Sequence, residues 1–165
     1  MAYETVYLDA VNSVWQAIEN HEDTADVFKK KIKFLQSGVA WNKYLPAFSD
    51  LTAISIRTLG INPKWYTNRD TRDGLALLIR VWTADWDERI PLALAAKIKR
   101  AIHDARPPNS QKRYTAENPP AMDSDSTTFS PVTIGGDGKP DNKGIEVIQT
   151  DIRVVLRCAF QPRTS

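Results

Sequence analysis

The chain is poor in the residues that most catalytic and metal sites require. Its 165 residues include one cysteine, Cys158, and two histidines, His21 and His103. A single cysteine cannot form an intrachain disulfide, and metal sites usually need several ligands. No apolar run reaches the roughly 18 residues that span a bilayer, and Glu4 stands where a signal peptide would be basic. The sequence therefore predicts a soluble protein made in a cytoplasm.

An excess of charge of either sign is also missing. Lysine and arginine total 22, aspartate and glutamate total 20, and the formal net charge is +2. A nucleic-acid-binding domain is usually more basic and carries its charge as a stripe. Hydrophobic residues make up 42% of the chain, which is typical of a globular and not of a disordered protein. The length predicts one domain, residues 1–165, with one core.

The most regular pattern in the sequence lies near its end, at residues 150–160. Apolar residues occupy every second position there, so they share one face of a strand. They are Ile152, Val154, Leu156, Cys158 and Phe160. Cys158 is predicted to be buried filler on that face. The strand needs partners, and the best candidates are residues 75–83 and 51–59.

Three segments have the apolar spacing of amphipathic helices, residues 4–20, 25–36 and 87–104. The predicted apolar stripes are Leu8, Val11, Trp15 and Ile18 in the first, Val27, Phe28, Ile32 and Leu35 in the second, and Ile90, Leu94, Ile98, Ala101 and Ile102 in the third. Asp87 is the expected N-cap of the third helix, with Pro91 tolerated in its first turn. The helices are predicted to cover the buried face of the sheet.

Residues 51–59 and 75–82 are predicted to be antiparallel strands. Residues 60–74 between them are polar and rich in turn formers, which predicts an elaborated hairpin connection. The second strand is apolar on both faces. That pattern indicates a central strand, or one whose outer face meets another subunit.

Residues 106–144 differ from the rest of the chain. They hold six of its ten prolines and four of its seven glycines. A loop of this length in a compact domain is generally functional or disordered. Residues 127–134 are predicted to form a short edge strand in a hairpin laid against a neighbouring copy, and deleting residues 114–141 is expected to impair assembly only. The predicted class is α+β, a small antiparallel sheet packed on two or three helices with a long extended hairpin insertion.

The residues predict no catalytic, cofactor-binding or metal site. Asp85, Asp87 and Glu88 would suit a divalent metal or acid–base pair, but acidic residues are expected at a helix start. The most basic cluster is Lys29, Lys30, Lys31 and Lys33. It indicates a solvated helix face or, alternatively, a contact with an acidic subunit or with DNA. Arg80 beside Trp82 hints at a platform for single-stranded nucleic acid, but packing in the core or in an interface is the preferred interpretation.

In the order of its elements the chain resembles the small phage neck and tail-completion proteins, the tail terminators in particular. The matching stretches cover about two thirds of the chain. They are LDAVNSVWQAIEN for the first helix, LTAISIRTLG and LALLIRVWTADWDE for the first two strands, PLALAAKIKRAIHD for the packed helix and TDIRVVLRCAF for the closing strand.

The resemblance implies a non-enzymatic protein that forms a hexameric ring in the virion, after assembly in the host cytoplasm. The ring would end polymerisation of the tail tube and join the tail to the neck and connector, with the sheath as a further partner in a contractile tail. DNA would only pass through the lumen. Residues 75–82 and the long insertion would be the two sides of the ring contact.

Three alternatives stay open at this stage. The first is a head-completion or stopper protein of the same neck. The second is a metal-dependent enzyme that uses Asp85, Asp87 and Glu88. The third is a binder of single-stranded nucleic acid that uses the lysine cluster and exposed tryptophans.

Overall fold

The computed structural model describes residues 6–29, 32–34, 52–66, 71–83, 87, 89–105, 122–134, 139–141 and 144–159. This part of the chain contains three helices and five strands in one mixed arrangement. They are α1 (Val6–Asn20), α2 (Glu22–Lys29), β1 (Ile32–Phe34), β2 (Thr52–Tyr66), β3 (Thr71–Thr83), α3 (Arg89–Asp104), β4 (Met122–Ile134) and β5 (Ile145–Ala159). The predicted α+β class is confirmed.

The strands form one sheet in the order β1-β2-β3-β5-β4. All neighbours are antiparallel except β1, which runs parallel to β2. The prediction that β3 is central is confirmed. The predicted pairing of β5 with β3 is also confirmed, but β5 does not pair with β2. The β2–β3 hairpin occupies the other side of β3, so the second neighbour of β5 is β4.

The predicted end of the second helix, at residue 36, is wrong. Helix α2 stops at Lys29, and residues 32–34 form the short strand β1. Ile32 pairs with Ala53 and Phe34 with Ser55. Backbone pairing with a sheet edge outweighs the helical spacing that placed Ile32 and Leu35 on one face. Leu35 itself lies outside the described residues.

The polar connection predicted at residues 60–74 is also mostly strand. Strand β2 continues to Tyr66, strand β3 begins at Thr71, and the two pair along their length with register shifts between Thr58 and Gly60 and between Pro63 and Trp65. The hairpin is confirmed, but its arms are longer than predicted. Ladder hydrogen bonds use backbone groups, so polar side chains that face solvent do not prevent pairing.

The long insertion contributes a full strand to the sheet of its own chain. Strand β4 begins at Met122, five positions before the predicted start, and pairs with β5 from Met122–Leu156 to Ile134–Ile145. It is the predicted edge strand and forms a long ribbon with β5. Because β4 is part of the sheet, deleting residues 114–141 would uncover β5 and is no longer a test of assembly alone. Residues 106–121, 135–138 and 142–143 lie outside the described part.

One face of the sheet packs on the helices, and the core lies between these two layers. On β5 the alternate side chains of Ile152, Val154, Leu156 and Cys158 are at most 1% exposed, as their spacing predicts. They belong to one cluster with side chains of α1 and α3. Phe160 lies outside the described residues.

Two side chains predicted for the core are instead on the surface. Leu8 is 58% exposed and Ile90 is 43% exposed. Helix α1 buries a neighbouring stripe that contains Val6, Ala10 and Val14. In both α1 and α3, further apolar residues lie beside the predicted stripe around the helix. Spacing alone therefore did not identify which side of the helix meets the sheet.

The helices are linked to one another by His21, which follows α1. Its Nδ1 accepts a hydrogen bond from the backbone N–H of Asp23 at 3.1 Å. The proton therefore resides on Nε2, which donates to the carboxylate of Asp104 at the end of α3 at 2.9 Å. This hydrogen bond, together with Arg100, holds the pKa of Asp104 below its ordinary value against the opposing effect of desolvation.

The lowered pKa of Asp104 predicts a loss of stability in acid. A carboxylate with a lowered folded-state pKa stabilises the fold above its unfolded pKa of about 3.9, and this stabilisation is lost as the pH falls through the folded value. Asp104→Asn should therefore be less stable than the wild type at pH 7, and the difference should shrink below about pH 4. Melting temperatures of both proteins, measured from pH 7 to below about pH 4, test this prediction. A difference in melting temperature that does not change with pH would contradict it.

Candidate assembly surfaces

Six large apolar side chains are exposed in the described part of the molecule. They are Leu8, Leu59, Ile61, Ile90, Leu92 and Phe129. Single exposed apolar residues are ordinary on protein surfaces, so their positions matter more than their number. Leu8 and Ile61 lie near the start of β3, Ile90 lies in a groove near its end, and Phe129 is on the edge strand β4.

The first surface belongs to the beginning of α1. The hydroxyl of Tyr7 donates to the carboxylate of Asp73, so this part of α1 lies over the start of β3. Leu8 follows Tyr7 and points to solvent, and Asn12 is exposed one helical turn later. Half-buried Asp9 lies beside them. We call Leu8, Asp9 and Asn12 the α1 surface.

The second surface is a groove of about 670 Å³ between α2 and α3. We call it the α2–α3 groove. Its lining residues are Asp26 and Val27 from α2, Asp87 before α3, and Arg89, Ile90, Ala93, Leu94 and Lys97 from α3. Val27 is partly buried and Leu94 is buried, whereas Ile90 is open to solvent. The groove therefore has an apolar interior and charged borders.

The groove and the α1 surface lie near opposite ends of the sheet. Helix α2 leads into β1, whose Ile32 pairs with Ala53, and Ala53 pairs with Trp82 near the end of β3. The α1 surface is fixed near Asp73 at the start of β3. Nine strand positions separate Asp73 from Trp82, which is about 30 Å at 3.3 Å per residue. One molecule thus carries two separate and unlike surfaces: an exposed leucine flanked by polar side chains, and a groove with an apolar interior.

Asp87 acts as the predicted N-cap of α3. Its Oδ1 accepts the backbone N–H of Arg89 at 3.0 Å, and the Arg89 guanidinium donates to both carboxylate oxygens at 2.6–3.0 Å. These bonds, the side-chain ones first, hold the pKa of Asp87 below its ordinary value. The carboxylate is thus engaged by its own helix start. Asp85 and Glu88 lie outside the described residues.

The cap predicts a graded effect of substitution at Asp87. Asp87→Ala removes the acceptor for the Arg89 backbone N–H and should lower the melting temperature. Asp87→Asn keeps a capping oxygen, so its melting temperature should lie between those of the wild type and Asp87→Ala. Equal melting temperatures for all three proteins would contradict the capping role.

The metal-dependent alternative has its own test at the same residue. Among the described residues, no group of three or more histidine, cysteine, aspartate or glutamate side chains is placed to hold a metal ion. If the Asp87 carboxylate serves only as the cap of α3, calorimetric titration with Mg²⁺, Mn²⁺ or Zn²⁺ should give no heat that depends on Asp87. Binding that disappears in Asp87→Ala would favour the enzyme alternative.

The face of the sheet opposite the helices carries a chain of hydrogen bonds across β3 and β5. Arg80 donates two hydrogen bonds to Asp151, at 2.7 and 3.1 Å. Gln149 donates to Asp151 at 3.4 Å and accepts from the Trp82 indole N–H at 3.1 Å. The Trp82 side chain is buried. The suggestion of a stacking platform is therefore wrong for this pair, since the charge of Arg80 is neutralised and the ring of Trp82 is covered.

The strand predicted as one side of the ring contact does not offer a surface. Strand β3 pairs with a neighbour on each side, and Leu75, Leu77, Leu78, Ile79, Val81 and Trp82 are all buried. This expectation is corrected: its apolar character on both faces reflects a central position in its own sheet. Lys33 lies on strand β1, so the helix face predicted for the lysine cluster is wrong at that position. The side chains of the cluster lie outside the described residues, so the contacts expected for them stay predictions.

The remaining candidate residues lie apart from one another. Cys158 is buried in the core, as predicted, while His103 is exposed at the end of α3. The groove was missed because Ile90, Ala93, Leu94 and Lys97 repeat at the three- and four-residue spacing of a core stripe. The sequence carries no signal that separates a side covered by a sheet from a side that borders a groove.

Neither the protein-family models nor the curated proteins contain a match to the chain. Among the helices in the described part, none combines the length and the apolar character needed to cross a membrane.

Proposed function

We propose that this protein is a structural subunit that assembles head to tail with copies of itself into a ring, as phage tail terminators do at the head-proximal end of the tail. The support is the order of its elements and its two-layer α+β fold, with helices on one face of a five-stranded sheet. In this role the ring ends growth of the tail tube and presents a surface to the neck and connector.

The observation that carries the proposal is the separation of the two assembly surfaces. The α1 surface lies near Asp73 and the α2–α3 groove lies toward Trp82, two positions of β3 that are about 30 Å apart. An isologous dimer uses one self-complementary patch, whereas a ring uses two different patches that meet between neighbours. A molecule with two unlike surfaces at its two ends suits the second kind of assembly.

The small net charge of +2 also suits this role. A lumen through which DNA passes should not bind phosphates tightly, and binding strength rises with the number of lysine and arginine contacts. The proposed partners are the tail tube protein and the connector, with a sheath in a contractile tail. In this role the protein needs no cofactor, and the ring is a part of the virion.

The mass of the purified protein in solution is the primary test. Size-exclusion chromatography with light scattering should give a defined multiple of the 18.6 kDa chain, six in the proposed ring. Electron microscopy of the same material should show rings with a central opening. A monomer that persists at the highest soluble concentration would disprove the proposed function.

The position in a particle separates a terminator from a head-completion protein. In phage particles that contain the chain, gold-labelled antibodies should mark the top of the tail, and isolated tails should keep the label. Label that stays with tail-less heads would assign the ring to the neck instead. Particles that carry no label would disprove a virion role.

A further inference from the structure

We propose that the α1 surface of one copy binds in the α2–α3 groove of the next copy. This inference rests on the proposed function, because it names the contact by which the ring would form. It assigns a role to Leu8 and Ile90, the two side chains whose positions the core pattern does not explain.

A helix of a second copy suits the groove as its occupant. On α3, Ile90, Leu94 and Lys97 border the groove with a spacing of three and four residues, so they form one ridge along that helix. Val27 of α2 lies across from them. A helix that presents Leu8 and Asn12 one turn apart places a ridge of its own between these two walls, which is the usual way in which an amphipathic helix fills a groove.

The polar residues around Leu8 also have counterparts in the groove. Asp9 and Asn12 flank Leu8 on the α1 surface, and Lys97 and Asp26 border the groove. Asp9, Lys97 and Asp26 have no ion-pair partner among the described residues. The Asp9 carboxylate suits the Lys97 ammonium, and the Asn12 amide can donate to the Asp26 carboxylate.

The contact has to form between molecules. Within one chain the two surfaces lie near opposite ends of the sheet, so Leu8 cannot reach its own groove. In an open assembly, the copy at one end therefore has a free groove and the copy at the other end has a free α1 surface. These two surfaces meet when the assembly closes. A ring is the closed form of this contact.

Cysteine cross-linking tests the pairing directly. The native Cys158 is fully buried, so introduced thiols on the surface are the reactive ones. Leu8→Cys and Ile90→Cys, mixed and mildly oxidised, should give a disulfide-linked dimer, while each variant alone should not. The double variant Leu8→Cys/Ile90→Cys should give a ladder of covalent oligomers up to the ring.

Charge substitutions test the same contact by assembly. Leu8→Glu and Ile90→Glu alter exposed side chains, so both variants should fold, but each should weaken association by roughly 10- to 100-fold. A mixture of the two should stop at dimers, because only one intact α1 surface meets one intact groove. Leu92→Glu is the matched control, since Leu92 is 53% exposed on the same helix and does not line the groove.

The outcomes separate the contact from the ring itself. Rings of normal mass from both Leu8→Glu and Ile90→Glu would overturn this contact while leaving the proposed function intact. Cross-linking of Leu8→Cys alone, as efficient as that of the mixture, would also overturn it in favour of an isologous contact. A monomeric wild type would refute the proposed function and this contact together.

Discussion

Leu156→Asp is expected to leave little folded protein. Leu156 has no solvent exposure, and its strand β5 pairs with β3 at Leu75 and with β4 at Met122. An aspartate there either buries a charge without a partner or takes up a proton, at a cost of several kcal/mol. A domain of this size is stable by about 5–15 kcal/mol, so most of that stability is lost. Far-UV circular dichroism and the soluble yield measure the effect.

Arg153→Asp is the matched control on the same strand. Arg153 lies three residues earlier, on the face opposite the helices, and its side chain is exposed. The same new residue should therefore be tolerated within about 0.5 kcal/mol. Native-like behaviour of Leu156→Asp, or unfolding of both variants, would show that β5 does not present its faces as described.

Asp151→Ala should have the next largest effect on stability. Asp151 accepts two hydrogen bonds from Arg80 and a weaker one from Gln149, and its side chain is only 15% exposed. Removing the carboxylate leaves the partly buried guanidinium of Arg80 without its partner. We expect a loss of about 2 kcal/mol in the free energy of unfolding, which urea denaturation would measure.

A double-mutant cycle separates the ion pair from other effects of the substitution. Arg80→Met, Asp151→Ala and the double variant should give a coupling energy of about 1–2 kcal/mol. The Arg157–Asp123 pair provides the comparison, because it has similar geometry but its side chains are 40% and 43% exposed. Its coupling should be below about 1 kcal/mol. A larger coupling in the exposed pair would mean that burial does not control these interactions.

The two faces of the sheet have different roles in this molecule. The helix-covered face supplies the core, and the opposite face ties β3 to β5 through Arg80, Asp151, Gln149 and Trp82. The proposed contacts with other copies therefore fall on the helices at the two ends of the sheet. Substitutions at Leu8 or Ile90 should change assembly while sparing the fold, whereas those at Leu156 or Asp151 should change the fold first.

Much of the architecture followed from local patterns in the sequence. The alternation on β5 correctly identified its buried face, because a strand repeats every two residues and a core selects apolar side chains. Asp87 marked the start of α3, since a carboxylate satisfies backbone N–H groups that a helix start leaves free. The α+β class followed from the order of these elements.

The tertiary structure decided what depends on distant parts of the chain. Strand β1 exists because Ile32–Phe34 pairs with β2, and β5 has β4 as its second neighbour because the insertion returns to the sheet. Leu8 and Ile90 have the spacing of core residues, but which side of a helix is covered depends on the elements packed against it. The α1 surface and the α2–α3 groove emerge only when the helices are placed on the sheet, because helical spacing is the same on a buried and on an open side.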